Sequence, residues 1–215
     1  MKTVLFNSIK GGVGKTSLAA HLVVYLLMKG YRVAVMDCDP QGNLTRWVDR
    51  YQTSNQNPNL FELSGEATQI PTIKESEKYD FLVIDSRGAD GEISRYLMAY
   101  TDYLLSPVEP NQFSLDTIPD HDLILETIKA EFNPDLRSFY FLNLCSTNVK
   151  DKKRQDTLDV LKSMQADGEL HSVVLDDVVF NRSVIENSVG IGSSCFIGRK
   201  NKSRSELIKI FEVLE

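Results

Sequence analysis

The chain has 215 residues, 42% hydrophobic and 25% charged, with a formal net charge of −6 at pH 7. That length suits one α/β domain over residues 1–215 with a continuous core, and the acidic balance argues against a globally basic nucleic-acid binder while leaving local patches open. No apolar run approaches the roughly 20 residues that span a bilayer, and neither an h-region nor a small-residue cleavage site marks a signal peptide, so a cytosolic protein is expected.

The first strand is predicted over Thr3–Ser8, and no helix-turn-helix domain is expected ahead of it. It runs into Lys10-Gly11-Gly12-Val13-Gly14-Lys15-Thr16-Ser17 and a helix over Thr16–Met28. Phosphate binding needs backbone N–H groups wrapped around an anion. Glycines permit such a loop, and the following helix N-terminus adds a favourable dipole. Lys15 would set its ammonium on the β- and γ-phosphates, and Thr16 its hydroxyl on Mg²⁺. The ordinary pattern G-x-x-x-x-G-K-[ST] has its first glycine where Ile9 stands, and a second lysine, Lys10, precedes the paired glycines. Two ammonium groups on one short loop repel unless phosphate lies nearby; a solvated surface lysine is the other reading.

The second strand, Arg32–Asp37, leads into Asp37-Cys38-Asp39-Pro40-Gln41-Gly42-Asn43 and a helix over Gln41–Tyr51. Carboxylates at the carboxyl end of a central strand face the phosphate-loop crevice, where they hold metal-bound water or orient an attacking water. The alternative is a Pro-Gln-Gly turn with Asn43 as helix N-cap. Polar Gln52–Ser64 reads as a loop. The third strand, Tyr79–Asp85, ends in Phe81-Leu82-Val83-Ile84-Asp85, an apolar run that delivers a carboxylate to the metal side. In Ser86-Arg87-Gly88, Arg87 is expected to pair with Asp85 or Asp90, with a reach towards phosphate as the alternative.

Then come a helix over Gly91–Tyr100, strand Tyr103–Val108, helix Leu115–Glu131, strand Phe139–Leu144, helix Arg154–Gln165, strand Ser172–Leu175 and a last helix over Ser203–Leu214. Strands dense in Val, Ile, Leu and Phe without polar alternation belong inside a parallel sheet. Their alternation with helices predicts a doubly wound, mostly parallel α/β sheet with helices on both faces. The acidic, amphipathic tail Glu206–Glu215 is expected to pack its apolar face on the core. The three cysteines, Cys38, Cys145 and Cys195, include no CxxC pair and read as incidental thiols.

Lys10–Thr16 resembles the deviant Walker A motif of the ParA/MinD ATPases. Asp37–Asn43 is similar to that family's switch I, and Phe81–Gly88 to its Walker B strand and switch II. Pro107–Asn111, Asn181–Val184 and Gly192–Phe196 are weaker likenesses, so the resemblance covers nearly the whole chain although only the three N-terminal motifs are specific. The length is similar to that of small plasmid-type, ParF-like partition ATPases. The resemblance implies a P-loop NTPase fold of deviant Walker A type, ATP and Mg²⁺ as cofactors, and hydrolysis to ADP and phosphate by an ATP-dependent homodimer that sandwiches two nucleotides. It implies catalytic roles for Lys10, which crosses to the partner's ATP, for Lys15, and for Asp39, which positions the hydrolytic water. Nucleotide contacts fall to Lys10, Gly11, Gly12, Val13, Gly14, Lys15, Thr16 and Ser17, and to Pro107 and Asn111. Metal contacts fall to Thr16, Asp37 and Asp85.

Two basic clusters, Lys150, Lys152, Lys153 and Arg154, and Arg199, Lys200, Lys202 and Arg204, could neutralise several phosphates without sequence preference. The family likeness adds nonspecific nucleoid DNA and a ParB-like centromere-binding adaptor as partners, no membrane, and a cytoplasmic, nucleoid-associated location. Three rivals stand beside it. A MinD-like membrane switch would need a basic amphipathic tail. A metabolic relative, ligase-like or nitrogenase-iron-protein-like, would need substrate pockets or cluster cysteines. A nucleotide-binding regulator would never turn over.

Overall fold

Successive side chains of a strand point to opposite faces, so a strand that is apolar at every position must be covered on both sides. The computed structural model describes residues 1–63 and 66–215 and meets that requirement. Seven strands, β1 Lys2–Phe6, β2 Val33–Cys38, β3 Leu60–Glu62, β4 Phe81–Ser86, β5 Tyr103–Val108, β6 Arg137–Leu142 and β7 Val173–Val174, form one sheet in the order β3-β2-β4-β1-β5-β6-β7. Every pairing in it is parallel. Nine α-helices occur among the described residues: α1 Lys15–Met28, α2 Asn43–Asn55, α3 Ile70–Glu75, α4 Glu92–Ala99, α5 Gln112–Leu115, α6 Ile118–Glu131, α7 Lys153–Ala166, α8 Ser183–Gly190 and α9 Lys202–Phe211.

On one face Val4, Phe6, Val35, Val83 and Leu105 pack against α1, Leu44 and Trp47 of α2, and Leu207, Ile210 and Phe211 of α9. On the other, Leu5, Met36, Leu82, Ile84 and Leu104 meet Leu97 of α4, Leu125 of α6 and Leu161 of α7. Helix α1 is buried continuously from Leu18 to Leu27 because it lies between the sheet and the C-terminal segment, which explains its lack of an apolar stripe. That segment is stitched down. Trp47 Nε1 donates to the Ser193 carbonyl at 3.0 Å, and His21 Nδ1 meets Ser194 Oγ at 2.8 Å. The apolar face of α9 is core, as expected. No helix among the described residues is long and apolar enough to cross a membrane.

The structure corrects the sequence reading in several places. The expected helix over 115–131 begins at Ile118, with Pro119 in its first turn where the missing N–H has no helical partner to lose, and Leu115 closes the separate short helix α5. The expected loop over 52–64 holds the end of α2 and all of β3, and Ser64 lies outside the described residues. Gln52 organises this connection: its amide donates to the carbonyls of Asn57 and Leu60 and accepts from the Asn57 N–H. Helices α3 and α8 were not expected from the sequence. All three cysteines are free thiols.

Candidate nucleotide site

Strand β1 lies between β4 and β5, so loops leaving the carboxyl ends of β1, β2 and β4 converge at the point where strand order reverses. Register sets the level of the groups they carry: Phe6 and Asp37 both pair with Asp85. Together these loops enclose a cleft of about 620 Å³ lined by Gly11, Gly12, Gly14–Ser17, Asp39–Gln41, Asn43, Arg87 and Gly88.

The loop after β1 needs its glycines. Gly12 and Gly14 have φ of +78° and +91°, which L side chains rarely adopt. A Cβ on Gly14 would lie 2.5 Å from Asn143 Nδ2, and that amide donates to the Val13 carbonyl at 2.8 Å. Asn143, just past β6, thus holds the loop from behind; no local motif in the sequence marks it. Val13 is buried behind the loop, so its expected nucleotide contact reduces to backbone.

Lys15 is only 7% exposed, its Nζ 3.2 Å from Ser8 Oγ and 3.3 Å from the Lys10 carbonyl. Burial lowers its pKa, while the carboxylates of Asp85 and Asp39 oppose that shift. Thr16 Oγ1 donates to Asp85 Oδ2 at 2.6 Å. The other oxygen, Asp85 Oδ1, is buried without a hydrogen-bond partner among the described residues. Burial pushes the Asp85 carboxyl up to about 7, against the Thr16 hydrogen bond and with the help of the Asp37 charge. A hydroxyl beside a carboxylate with one oxygen unspent is an all-oxygen donor pair suited to Mg²⁺ completed by phosphate and water. Among the described residues no group of three or more His, Cys, Asp or Glu side chains could hold a metal without such help.

Asp39 lines the cleft, with Oδ1 accepting from the Gln41 N–H at 2.9 Å. Asp37 behaves differently from the expected metal contact. Its Oδ2 accepts from the Leu44 and Thr45 N–H groups at 2.9 and 3.0 Å, and its Oδ1 from the Asp39 N–H at 3.0 Å. Asp37 therefore caps α2 and fixes the switch I backbone; Asn43, read as a possible N-cap, is the first residue of the helix instead. Neither Pro107 nor Asn111 lines the cleft, in contrast to the expectation. Pro107 is buried within β5, and Asn111 Oδ1 accepts from the Ser114 N–H at 2.9 Å, capping α5.

Lys10 is absent from the cleft lining and reaches over the ring of Phe113, its Nζ 5.6 Å from the centroid. Phe113 is itself 73% exposed. Arg87 does not form the expected ion pair: Asp90 is held by Arg95 at 2.8 and 3.0 Å, Asp85 by Thr16, and Arg87 borders the cleft instead. Gly88, part of the segment similar to switch II, has a packing role that the sequence does not announce. A Cβ there would stand 2.6 Å from Lys15 Nζ and 3.0 Å from the Lys10 carbonyl, so switch II lies directly on the phosphate loop.

The basic clusters lie away from the cleft but are linked to each other. Arg154 sits over Phe180, whose N–H donates to Glu206 of α9, the helix that also carries Lys202 and Arg204. Lys150, Lys152, Lys153, Arg199, Lys200 and Lys202 are exposed, with no ion pair among the described residues.

A parallel sheet whose first loop wraps a buried lysine at a helix N-terminus defines a phosphate-loop nucleotide-binding domain. Residues 4–191 match the model of the CobQ/CobB/MinD/ParA nucleotide binding domain, and the chain belongs to that family. It is 29% identical over 212 residues to the maintenance of carboxysome distribution protein A of Halothiobacillus neapolitanus, covering 96% of this chain and 92% of the relative. It is 28% identical over 165 residues to the chromosome-partitioning ATPase Soj of Thermus thermophilus, covering 64% of this chain and 66% of Soj. The fold also superposes on the ATP complex of a Cyanothece McdA variant with a TM-score of 0.77 at 17% identity, over 100% of this chain and 96% of that one.

Proposed function

We propose that this chain is a ParA-type partition ATPase that binds ATP with Mg²⁺, closes into a dimer around two nucleotides, and in that state holds DNA without sequence preference. The observation that carries this reading is the division between its two loop lysines: Lys15 is buried at the cleft floor, whereas Lys10 leans out over exposed Phe113. A cation on the rim is placed to serve a neighbouring copy's phosphates.

In this reading the loop N–H groups and Lys15 grip the β- and γ-phosphates. Thr16 and Asp85 would hold Mg²⁺, which supplies positive charge against the phosphate oxygens. Asp39 orients a water whose oxygen attacks the γ-phosphorus. The bond to the bridging oxygen breaks, ADP leaves with the electron pair, and inorganic phosphate carries the water oxygen. Lys10 stabilises the charge on the partner's nucleotide. The exposed lysines and arginines around α7 and α9 contact DNA phosphates. Pairing two copies doubles those contacts, which links ATP binding to DNA affinity through avidity. A ParB-like adaptor stimulates hydrolysis and dissolves the dimer, in the cytoplasm and on the nucleoid.

The cargo is a plasmid or chromosome locus. A protein assembly is the second reading, supported by the relative involved in carboxysome distribution. The test is retention of the chain on nonspecific DNA with ADP, ATP and a slowly hydrolysed ATP analogue across a salt series. Retention is expected only with triphosphate, and it should fall steeply with salt. Equal retention with ADP, or none in any state, overturns the DNA part of the reading.

A further inference from the structure

Arg87 is bracketed by two pinned residues. Before it, Ser86 Oγ donates to the Phe6 carbonyl at 2.9 Å and accepts from Asn7 Nδ2 at 2.8 Å. After it, Gly88 is pressed onto the phosphate loop closely enough that a Cβ would meet Lys15 Nζ. The Ala89 N–H returns to the Arg87 carbonyl at 3.0 Å, closing a tight turn. The guanidinium therefore starts from a fixed point beside Lys15. Neither acidic neighbour holds it: Arg95 takes both oxygens of Asp90, and Asp85 is fully buried beside Thr16, whereas Arg87 is exposed.

Charge in the cleft completes the case. Among its lining residues Lys15 and Arg87 are the cations and Asp39 is the anion. Lys10 is turned away over Phe113, so within one copy of the chain Arg87 is the second side-chain cation that lines the cleft, in addition to the Mg²⁺ proposed above. A guanidinium presents a planar fork of donors matched to two oxygens of one phosphate.

We infer that Arg87 recognises the terminal phosphate of the nucleoside triphosphate bound in its own subunit, so that switch II distinguishes the triphosphate from the diphosphate before any dimer forms. This rests on the proposed nucleotide site. A diphosphate leaves the guanidinium without its ligand, so the interaction adds to affinity for one nucleotide and not for the other. Arg87 also borders a second hollow of about 350 Å³ shared with Asp90 and Glu92, which offers the side chain somewhere to rest when the phosphate is gone.

The experiment is equilibrium binding of a fluorescent, slowly hydrolysed ATP analogue and of fluorescent ADP, each with Mg²⁺, at protein concentrations low enough to keep single copies. Wild type is compared with Arg87→Ala and Arg87→Lys. Arg87 is exposed, so neither change disturbs the core. Arg87→Ala is expected to weaken the triphosphate roughly tenfold to a hundredfold, the size of one charge-assisted contact, and ADP by no more than about twofold. Arg87→Lys, which keeps charge and loses the fork, should fall between. Equal losses on both nucleotides, or no loss on either, overturns the inference and leaves the nucleotide site standing. Wild type that binds neither nucleotide overturns the site itself, and the inference with it.

Discussion

Asp37 and Asp85 stand level on neighbouring strands, and their hydrogen bonds separate their tasks. Asp37 spends both oxygens on backbone N–H groups around the start of α2, whereas Asp85 keeps one oxygen buried and unpartnered. Burying an ionised carboxylate without full compensation costs several kcal/mol, so the ligand-free chain carries a strain of charge that a cation would relieve. Asp85→Asn should therefore raise the stability of the ligand-free protein at pH 8, where Asp85 is ionised, by roughly 1–3 kcal/mol. The same change should abolish Mg²⁺-dependent nucleotide binding. Asp37→Ala should do the opposite to stability, losing about 1–2 kcal/mol with its capping bonds. Thermal melting with and without Mg²⁺ and nucleotide checks both; a destabilised Asp85→Asn protein would contradict the account of that carboxylate.

At the scale of elements, contact between segments rests on glycines that leave no room. Gly192 has φ of +70°, and a Cβ there would lie 2.3 Å from Arg50 Cβ and 2.8 Å from the Arg50 backbone carbon in α2. Gly192→Ala should therefore cost about 2 kcal/mol or more, measured by urea unfolding, because neither backbone can give way cheaply. The strands and most helices were legible in the sequence because apolar runs of strand length alternate with longer mixed segments that extend over whole turns. So was the phosphate loop, whose chemistry is carried by adjacent residues. The rest was hidden for physical reasons. β3 is three residues long, too short for a period, and its register comes from β2. The placement of Arg87 depends on Arg95 taking Asp90, a competition between side chains that spacing does not rank. Asn143 reaches Val13 across 130 positions, and the backbone amides that Asp37 accepts from are marked by no side-chain spacing.

Across the whole molecule, one buried histidine lies on each side of the sheet. His21 sits in α1 beneath Ser194, and His121 sits in α6 between Tyr140 and Asn7. Burial holds both imidazoles down to about 4, from an ordinary 6.5. Their folded pKa values lie below the unfolded ones, so each contributes stability that is full above about 6.5 and lost as pH falls towards about 4. Each is worth up to about 3 kcal/mol. Melting midpoints measured from pH 7.5 to 4.5 should fall, and His21→Gln should flatten that slope whatever it does to the midpoint at neutral pH. A slope unchanged by the variant would contradict the assignment.

In the proposed function two copies of the chain share their nucleotides through Lys10, and light-scattering mass in solution reads that directly. With Mg²⁺ and a slowly hydrolysed ATP analogue the wild-type chain should double its mass, while Lys10→Ala should bind the analogue and remain a single copy. A wild-type chain that stays monomeric with nucleotide bound, or a Lys10→Ala chain that pairs as well as wild type, would contradict it.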